Sequence, residues 1–361
     1  MPRPLAALPK AHLHLHFTGS MRHATLVELA GRHGIHLPDA LIDDWPPQLS
    51  GADERGWFRF QRLYDIARSV VRTPADVRRL IVEAAQDERA DGSGWLELQI
   101  DPSGYAGRFG GLTTLLELVL ESAADATSQT GVGIGIIVAA NRTRHPLDAR
   151  TLARLAATHA DWGVIGFGLS NDERRGRTAD FTPAFRIARR AGLLLVPHGG
   201  ELVGPGSVRA CLNDLHADRI GHGVAAARDP ELMGILADGQ ITLEVCPTSN
   251  VALGVAPTPA DVPLRALLAA GVRLALGADD PLLFGPRLAD QYELARNVHG
   301  LTDTELAGLA RMSVTGSAAP PSVRHRLLAG IDEWLAAPPT APWEQAERGE
   351  RTEPAAADSA P

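Results

Sequence analysis

Lys10-Ala11-His12-Leu13-His14-Leu15-His16-Phe17 is the stretch on which the reading of this chain turns. Apolar residues and imidazoles alternate, and nothing in it favours a turn until Thr18-Gly19. Such a run reads as a strand buried on both faces, with side chains two apart sharing a face. It recurs. With the first run at 11–17, short apolar runs at 95–100, 133–140, 164–169, 193–197, 218–221, 241–246 and 272–277 make eight. Between them lie segments with helical spacing, such as Ala75 to Ala90, Thr113 to Ser128 and Leu147 to His159. Repeated strand–helix alternation calls for parallel strands with right-handed crossovers. It predicts an α/β fold, a closed (β/α)8 TIM barrel. An open doubly wound sheet would carry a glycine-rich phosphate turn after its first strand, and none is present.

The ends of these runs carry chemistry. The first holds His12, His14 and His16 at alternate positions. The fifth runs into Pro197-His198-Gly199-Gly200-Glu201, the sixth into Gly221-His222-Gly223, and the eighth into Gly277-Ala278-Asp279-Asp280-Pro281. The C-terminal ends of barrel strands are where active sites are built. A lone His-x-His is weak evidence, but here it ends a strand at the barrel mouth. Strands one and eight are neighbours in a closed barrel and strand five stands opposite. His14, His16, His198 and Asp279 can therefore converge on one Zn²⁺ and leave a position open for water. His12 lies one step deeper and reads as a buried, hydrogen-bonded histidine. Lys10 is the only lysine, so a two-metal centre bridged by a carboxylated lysine is excluded by composition. One zinc per chain is expected.

The remaining composition narrows the class. The chain has 361 residues, 45% of them hydrophobic, which suits one large barrel. A net charge of −8 gives no basic footprint for nucleic acid. Cys211 and Cys246 make no disulfide framework and fit a reduced cytoplasm. No secretory signal is visible, and no apolar stretch approaches the ~20 residues that span a bilayer. The expected organisation is a single barrel domain over 1–335, with a helical insertion at 23–92 between strands one and two, and a disordered tail at 336–361 rich in Ala, Pro, Glu and Arg. At the catalytic face the insertion would roof a pocket. Trp57, Phe58, Phe60, Leu63 and Tyr64 read equally as substrate contacts or as the apolar stripe of a packed helix.

Taken together these segments resemble the adenosine deaminase family. The resemblance runs from Leu8 to about Ser313 and rests on Pro9-Lys10-Ala11-His12-Leu13-His14-Leu15-His16, the 166–173 segment, His198-Gly199-Gly200-Glu201, Arg219-Ile220-Gly221-His222-Gly223, Leu243-Glu244-Val245-Cys246-Pro247-Thr248-Ser249 and Gly277-Ala278-Asp279-Asp280-Pro281. It implies the barrel, one zinc, and hydrolytic removal of the 6-amino group of a purine nucleoside, with a small-molecule adenine nucleoside and water as partners. It also implies that Glu201, as a neutral carboxyl, protonates the purine ring at N1. The competing reading of Glu201 is a carboxylate meeting a helix dipole. His222 would stand beside the attacking water as base or electrostatic partner. His16, Thr18, Asn171 and Asp280 would lie along the substrate, with Asp280 accepting from the purine edge.

Two positions depart from the family pattern. Many members continue His-x-His as Leu-Asp-Gly, where that aspartate faces the ribose 5′-hydroxyl; this chain has Phe17-Thr18-Gly19. Asn171 replaces a glycine whose backbone meets the purine, a change that asparagine's tolerance of unusual backbone angles can absorb. Losing the aspartate removes charge at the 5′ end. That favours a 5′-extended adenine nucleoside such as aminodeoxyfutalosine, an intermediate of one menaquinone pathway. Arg22, Arg59, Arg62 and Arg68 are the candidate partners for a carboxylate there. The alternatives are adenosine itself, free adenine, or a catalytically silent nucleoside-binding barrel. Cys246-Pro247-Thr248-Ser249 lacks the second cysteine that a cytidine-type deaminase needs.

Overall fold

The computed structural model describes residues 2–51 and 53–338. Eight parallel strands stand in chain order: β1 (Lys10–His16), β2 (Ser93–Ile100), β3 (Gly133–Asn141), β4 (Val164–Ser170), β5 (Leu194–Gly199), β6 (Arg219–His222), β7 (Thr242–Val245) and β8 (Arg273–Leu276). The ring closes where the chain leaving β8 meets β1. Leu15 bridges Asp279, whose N–H donates to the His14 carbonyl at 3.1 Å, while the His16 N–H donates to the Asp279 carbonyl at 3.0 Å. The β2–β3 ladder runs without a break from Trp95–Gly133 to Ile100–Val138, whereas β1–β2 is irregular between His12 and Leu15. Irregular register is common beside active sites, where a side chain has to be re-aimed.

The insertion is helical as expected: α1 (His23–His33), α2 (Glu54–Ser69) and α3 (Pro74–Ala90). Thr73 starts α3 with a capping box, its hydroxyl accepting from the Asp76 N–H and the Asp76 carboxylate accepting from the Thr73 N–H. Such a cap contributes about 1 kcal/mol. Buried Val77, Leu80, Ile81, Ala84 and Ala85 set α3 against β2 and the next helix, α4 (Leu112–Thr130). So α3 is the barrel's own first outer helix, and the true excursion is α1 and α2 with their loops. In α2, Trp57, Phe60 and Ala67 are buried although Phe58 is exposed.

The core divides into two apolar clusters, one around β1 to β5 and the insertion, the other around β6 to β8 and the C-terminal helices. Inside the barrel floor lies a buried chain of charge instead. Arg219 pairs with Glu97 and, at 2.7 Å, with Glu244. Glu97 also accepts from Trp95 Nε1 at 3.0 Å and from the Ala318 N–H at 2.6 Å. The last described helix ends at Ala336, and residues 339–361 of the expected tail lie outside the described residues. No described helix is long and apolar enough to cross a membrane.

Candidate metal centre and substrate pocket

The strand ends bring three of the four expected metal ligands, His14, His198 and Asp279, into one cluster with His222. His14, His198, His222 and Asp279, all buried, each place a donor atom within 4.8 Å of the others. His16 joins from one step further out, its Nε2 3.2 Å from Asp279 Oδ1 and 3.3 Å from His198 Nε2. Three polar residues of the site stand in the left-handed backbone region: Asn171 at φ 80°, His222 at 62° and Asp279 at 62°. Side chains rarely adopt it, and when they do at a strand end the surroundings hold them there. Glycine makes the room. A Cβ on Gly221 would stand 2.8 Å from His14 Cε1, and one on Gly19 would stand 1.9 Å from Asp280 Oδ1.

Each imidazole and carboxylate is braced from behind. His14 Nδ1 lies 2.8 Å from Glu244 Oε2, which ties it to Arg219 and Glu97 in the floor. That leaves His14 Nε2 buried, 3.5 Å from Asp279 Oδ1, and without a hydrogen bond. Ser249 donates to Asp279 Oδ2 at 2.5 Å, and Arg142 donates to the His198 carbonyl at 2.7 Å. A buried imidazole aimed at a buried carboxylate without bonding it suits a divalent cation between them. Three imidazoles with a carboxylate also make a zinc-type donor set.

Electrostatics separates the carboxyl groups. Burial, reinforced by Asp279 and Glu173, holds Glu201 well above the usual carboxylate range. Burial and then Asp279 do the same to Asp280. A carboxyl held in its neutral form has an O–H to donate as well as an oxygen that accepts. Asp279 goes the other way despite its burial, pulled well down by His14 and His16. Burial lowers the basicity of His14, yet the neighbouring Asp279 and Glu244 carboxylates win and raise its pKa to about 10. That proton and a metal ion compete for the same nitrogen. Burial depresses His198 far below the ordinary histidine value and takes His222 to about 3.

Glu201 is not a helix-end carboxylate. The next helix starts at Pro205, and the backbone N–H groups of Glu201, Leu202 and Val203 donate instead to Glu173 Oε2, at 2.9, 2.7 and 3.0 Å. Glu173 also accepts from the Gly200 N–H and the Ser207 hydroxyl. It thus fixes the loop that presents Glu201, whose Oε1 lies 3.7 Å from His222 Nε2. Sequence reasoning gave Glu173 and Glu244 no role, although both lie in segments that carry the family resemblance.

A cavity enclosing about 690 Å³ of atom-free space, partly open to solvent, runs outward from this cluster. Helix α2 roofs it. Trp57, Phe60 and Tyr64 line it while also packing, Phe60 stacking on Phe284 at 5.8 Å. Asn171 is tied to the roof, with Nδ2 donating to Gln61 at 2.9 Å and Oδ1 lying 3.4 Å from Trp57 Nε1. Thr18 is buried at the other end, its hydroxyl 2.5 Å from the Tyr105 hydroxyl. Arg68 lies over Tyr64 at 5.1 Å and Tyr105 at 5.8 Å, and its buried Nε has no partner. Of the four candidate arginines it alone lines the cavity: Arg22 is held by Asp87, while Arg59 and Arg62 are exposed.

Comparison with known proteins agrees with this geometry. The family model for adenosine deaminase matches residues 9–334. A Streptomyces virginiae protein with the provisional name adenosine/adenine deaminase is 65% identical over 92% of this chain and 98% of its own. The aminodeoxyfutalosine deaminase of Streptomyces avermitilis is 35% identical over 92% of this chain and 93% of that protein. An amidohydrolase from Burkholderia ambifaria, solved with bound zinc, superposes with a TM-score of 0.82 at 25% identity, covering 92% of this chain and 93% of that one. With a matching barrel and a buried His/Asp cluster suited to a metal, the chain belongs to the adenosine deaminase family of metal-dependent hydrolases, whose members deaminate adenine-type substrates.

Proposed function

We propose that this protein is a zinc-dependent hydrolase that removes the 6-amino group of an adenine nucleoside carrying an extended, anionic 5′ substituent, as aminodeoxyfutalosine does. His14, His16, His198 and Asp279 would hold one zinc, whose part is to supply a nucleophile from water at neutral pH. The chain's own residues do the rest. Glu201, neutral because it is buried, delivers a proton to N1 and so makes C6 more electrophilic. His222, uncharged and 3.7 Å from Glu201, stands where the attacking water loses its proton. Asp280 meets the five-membered edge of the purine. Asn171, its side chain held by Gln61, turns its backbone to the six-membered ring. Water adds at C6, the C6–N6 bond breaks, and ammonia leaves with the proton it gains.

The observation that carries the substrate reading is the far end of the cavity. Thr18, Tyr64 and Tyr105 put hydroxyls there, and Arg68 adds an unshared guanidinium N–H. Arg68 pairs with Asp65 at 3.0 Å through one terminal nitrogen, and its buried Nε–H, left without a partner, favours an anionic ligand group. One observation favours plain adenosine instead: the 2.5 Å contact between Thr18 and Tyr105 closes that end. Loss of 6-amino absorbance, followed for adenosine, adenine, 5′-methylthioadenosine and aminodeoxyfutalosine, decides between them. The proposal expects the highest kcat/KM for aminodeoxyfutalosine. A clear preference for adenosine or adenine removes the 5′ extension from the account.

A further inference from the structure

Strand β1 carries three histidines, and the mechanism above uses two. His12 is 1% exposed and touches neither the donor cluster nor the cavity. Its two ring nitrogens are nevertheless both engaged. Nδ1 lies 2.6 Å from Glu88 Oε1, on α3, and Nε2 accepts the Ala278 N–H at 2.9 Å. A nitrogen that accepts a backbone N–H carries no proton, so the proton sits on Nδ1 and is donated to Glu88. The carboxylate therefore fixes the tautomer, and the tautomer fixes the bond to Ala278.

Ala278 immediately precedes Asp279, which stands at φ 62° just beyond the last regular residue of β8. That conformation needs external support. The main chain of β1 supplies part of it through the Asp279–His14 and His16–Asp279 bonds, and Gly277 donates to the Val245 carbonyl at 2.9 Å. The N–H between Gly277 and Asp279 meets no carbonyl. Its acceptor is the His12 imidazole. The side chain of Asp279 is separately held by Ser249. Supports thus act on both the oxygen and the backbone of this one carboxylate residue, and His12 is the one side chain among those on the backbone.

We infer that His12 and Glu88 form a positioning pair that aims Asp279 at the metal from behind. The inference rests on the reading of Asp279 as a ligand. Partners one step behind a ligand typically change metal affinity by about 10–100-fold when removed. The pair also links α3, which follows the roof helix α2, to the metal end of the barrel.

The test compares wild type with His12→Leu, His12→Gln, Glu88→Ala, Glu88→Gln and Asp279→Asn, each stripped of metal. Three quantities are read: zinc affinity by competition with a chromophoric chelator, the visible spectrum of the cobalt-loaded protein, and the melting temperature of the metal-free form. His12→Leu should weaken zinc by about 10–100-fold and alter the cobalt bands. His12→Gln, whose amide oxygen can reach the place of Nε2, should recover most of both. A purely structural role would lower the melting temperature of the metal-free protein and leave affinity and spectrum unchanged, and that result overturns the inference. If His12→Leu does not fold, Glu88→Ala, which removes the acceptor, decides: weaker zinc at an unchanged melting temperature supports the pair and unchanged affinity refutes it, while Glu88→Gln, whose amide oxygen still accepts, should stay near wild type. Unchanged affinity in Asp279→Asn would sink the ligand reading itself, which separates the two failures.

Discussion

The two ends of the cavity are built on different principles. At the inner end His14, His16, His198, His222 and Asp279 come from the ends of β1, β5, β6 and the turn after β8, and each is braced by strands or by buried charge. At the outer end Trp57, Gln61, Tyr64 and Arg68 come from one amphipathic helix of an insertion, laid over Thr18 and Tyr105. The inner end is fixed by the barrel, so the chemistry is shared across a family. The outer end is added to the barrel, so its residues can change what is deaminated without disturbing how.

That contrast breaks most visibly if the metal is taken away. Exhaustive chelation, or His198→Ala, should abolish turnover for every substrate alike, and adding back zinc should restore the chelated wild type. Elemental analysis should give one zinc per chain. Two metals per chain, or activity that survives chelation, would remove the inner end from the account.

Glu201→Gln should keep metal and fold while losing about 10²–10⁴-fold in kcat, because the amide cannot deliver the proton to N1. Loss of the same factor for adenosine and for a 5′-extended substrate would show that the inner end is indifferent to the outer. Activity within a few-fold of wild type would leave Glu201 without a catalytic part.

Thr18→Asp acts on the outer end alone. The new carboxylate can accept from a free 5′-hydroxyl and repels an anionic substituent. The ratio of kcat/KM for adenosine over that for a carboxylated 5′-extended analogue should rise by about 1–3 kcal/mol in free-energy terms. An unchanged ratio would mean that position 18 does not meet the 5′ end.

The smallest expected effect is on stability. Folding raises the pKa of Glu201 above its ordinary value of 4.5. A raised carboxyl favours the folded state fully below that ordinary value, and the contribution is lost as pH rises through the folded pKa, when a buried charge must form. Wild type should therefore lose more melting temperature than Glu201→Gln as pH climbs above that ordinary value. Parallel curves would contradict the burial argument.

The inner end was largely legible in the sequence because period-two spacing and strand-end position are local signals. His14 and His16 share a face by spacing alone, and His198, His222 and Asp279 follow apolar runs. The barrel was legible for the same reason, each observed strand falling close to an apolar run. What braces the site was not. Glu244 and Glu173 look like any other acids, and their partners, His14 and the 200–203 backbone, lie far away in sequence. Arg68 could not be told from Arg59 or Arg62, since helical phase alone does not say which residue faces a cavity that other strands complete. Nor did spacing show that α3 belongs to the barrel rather than to the insertion.

The central claim is that the outer end selects an anionic 5′ group through Arg68 while the inner end does the chemistry. The most direct measurement is kcat/KM for aminodeoxyfutalosine and for adenosine in wild type and Arg68→Leu. A charge-assisted hydrogen bond contributes about 1.5–3 kcal/mol. The account predicts that wild type prefers aminodeoxyfutalosine, and that the variant loses roughly 10–100-fold on it while adenosine stays within a few-fold. A wild type that prefers adenosine, or a variant that loses both substrates equally, would contradict it.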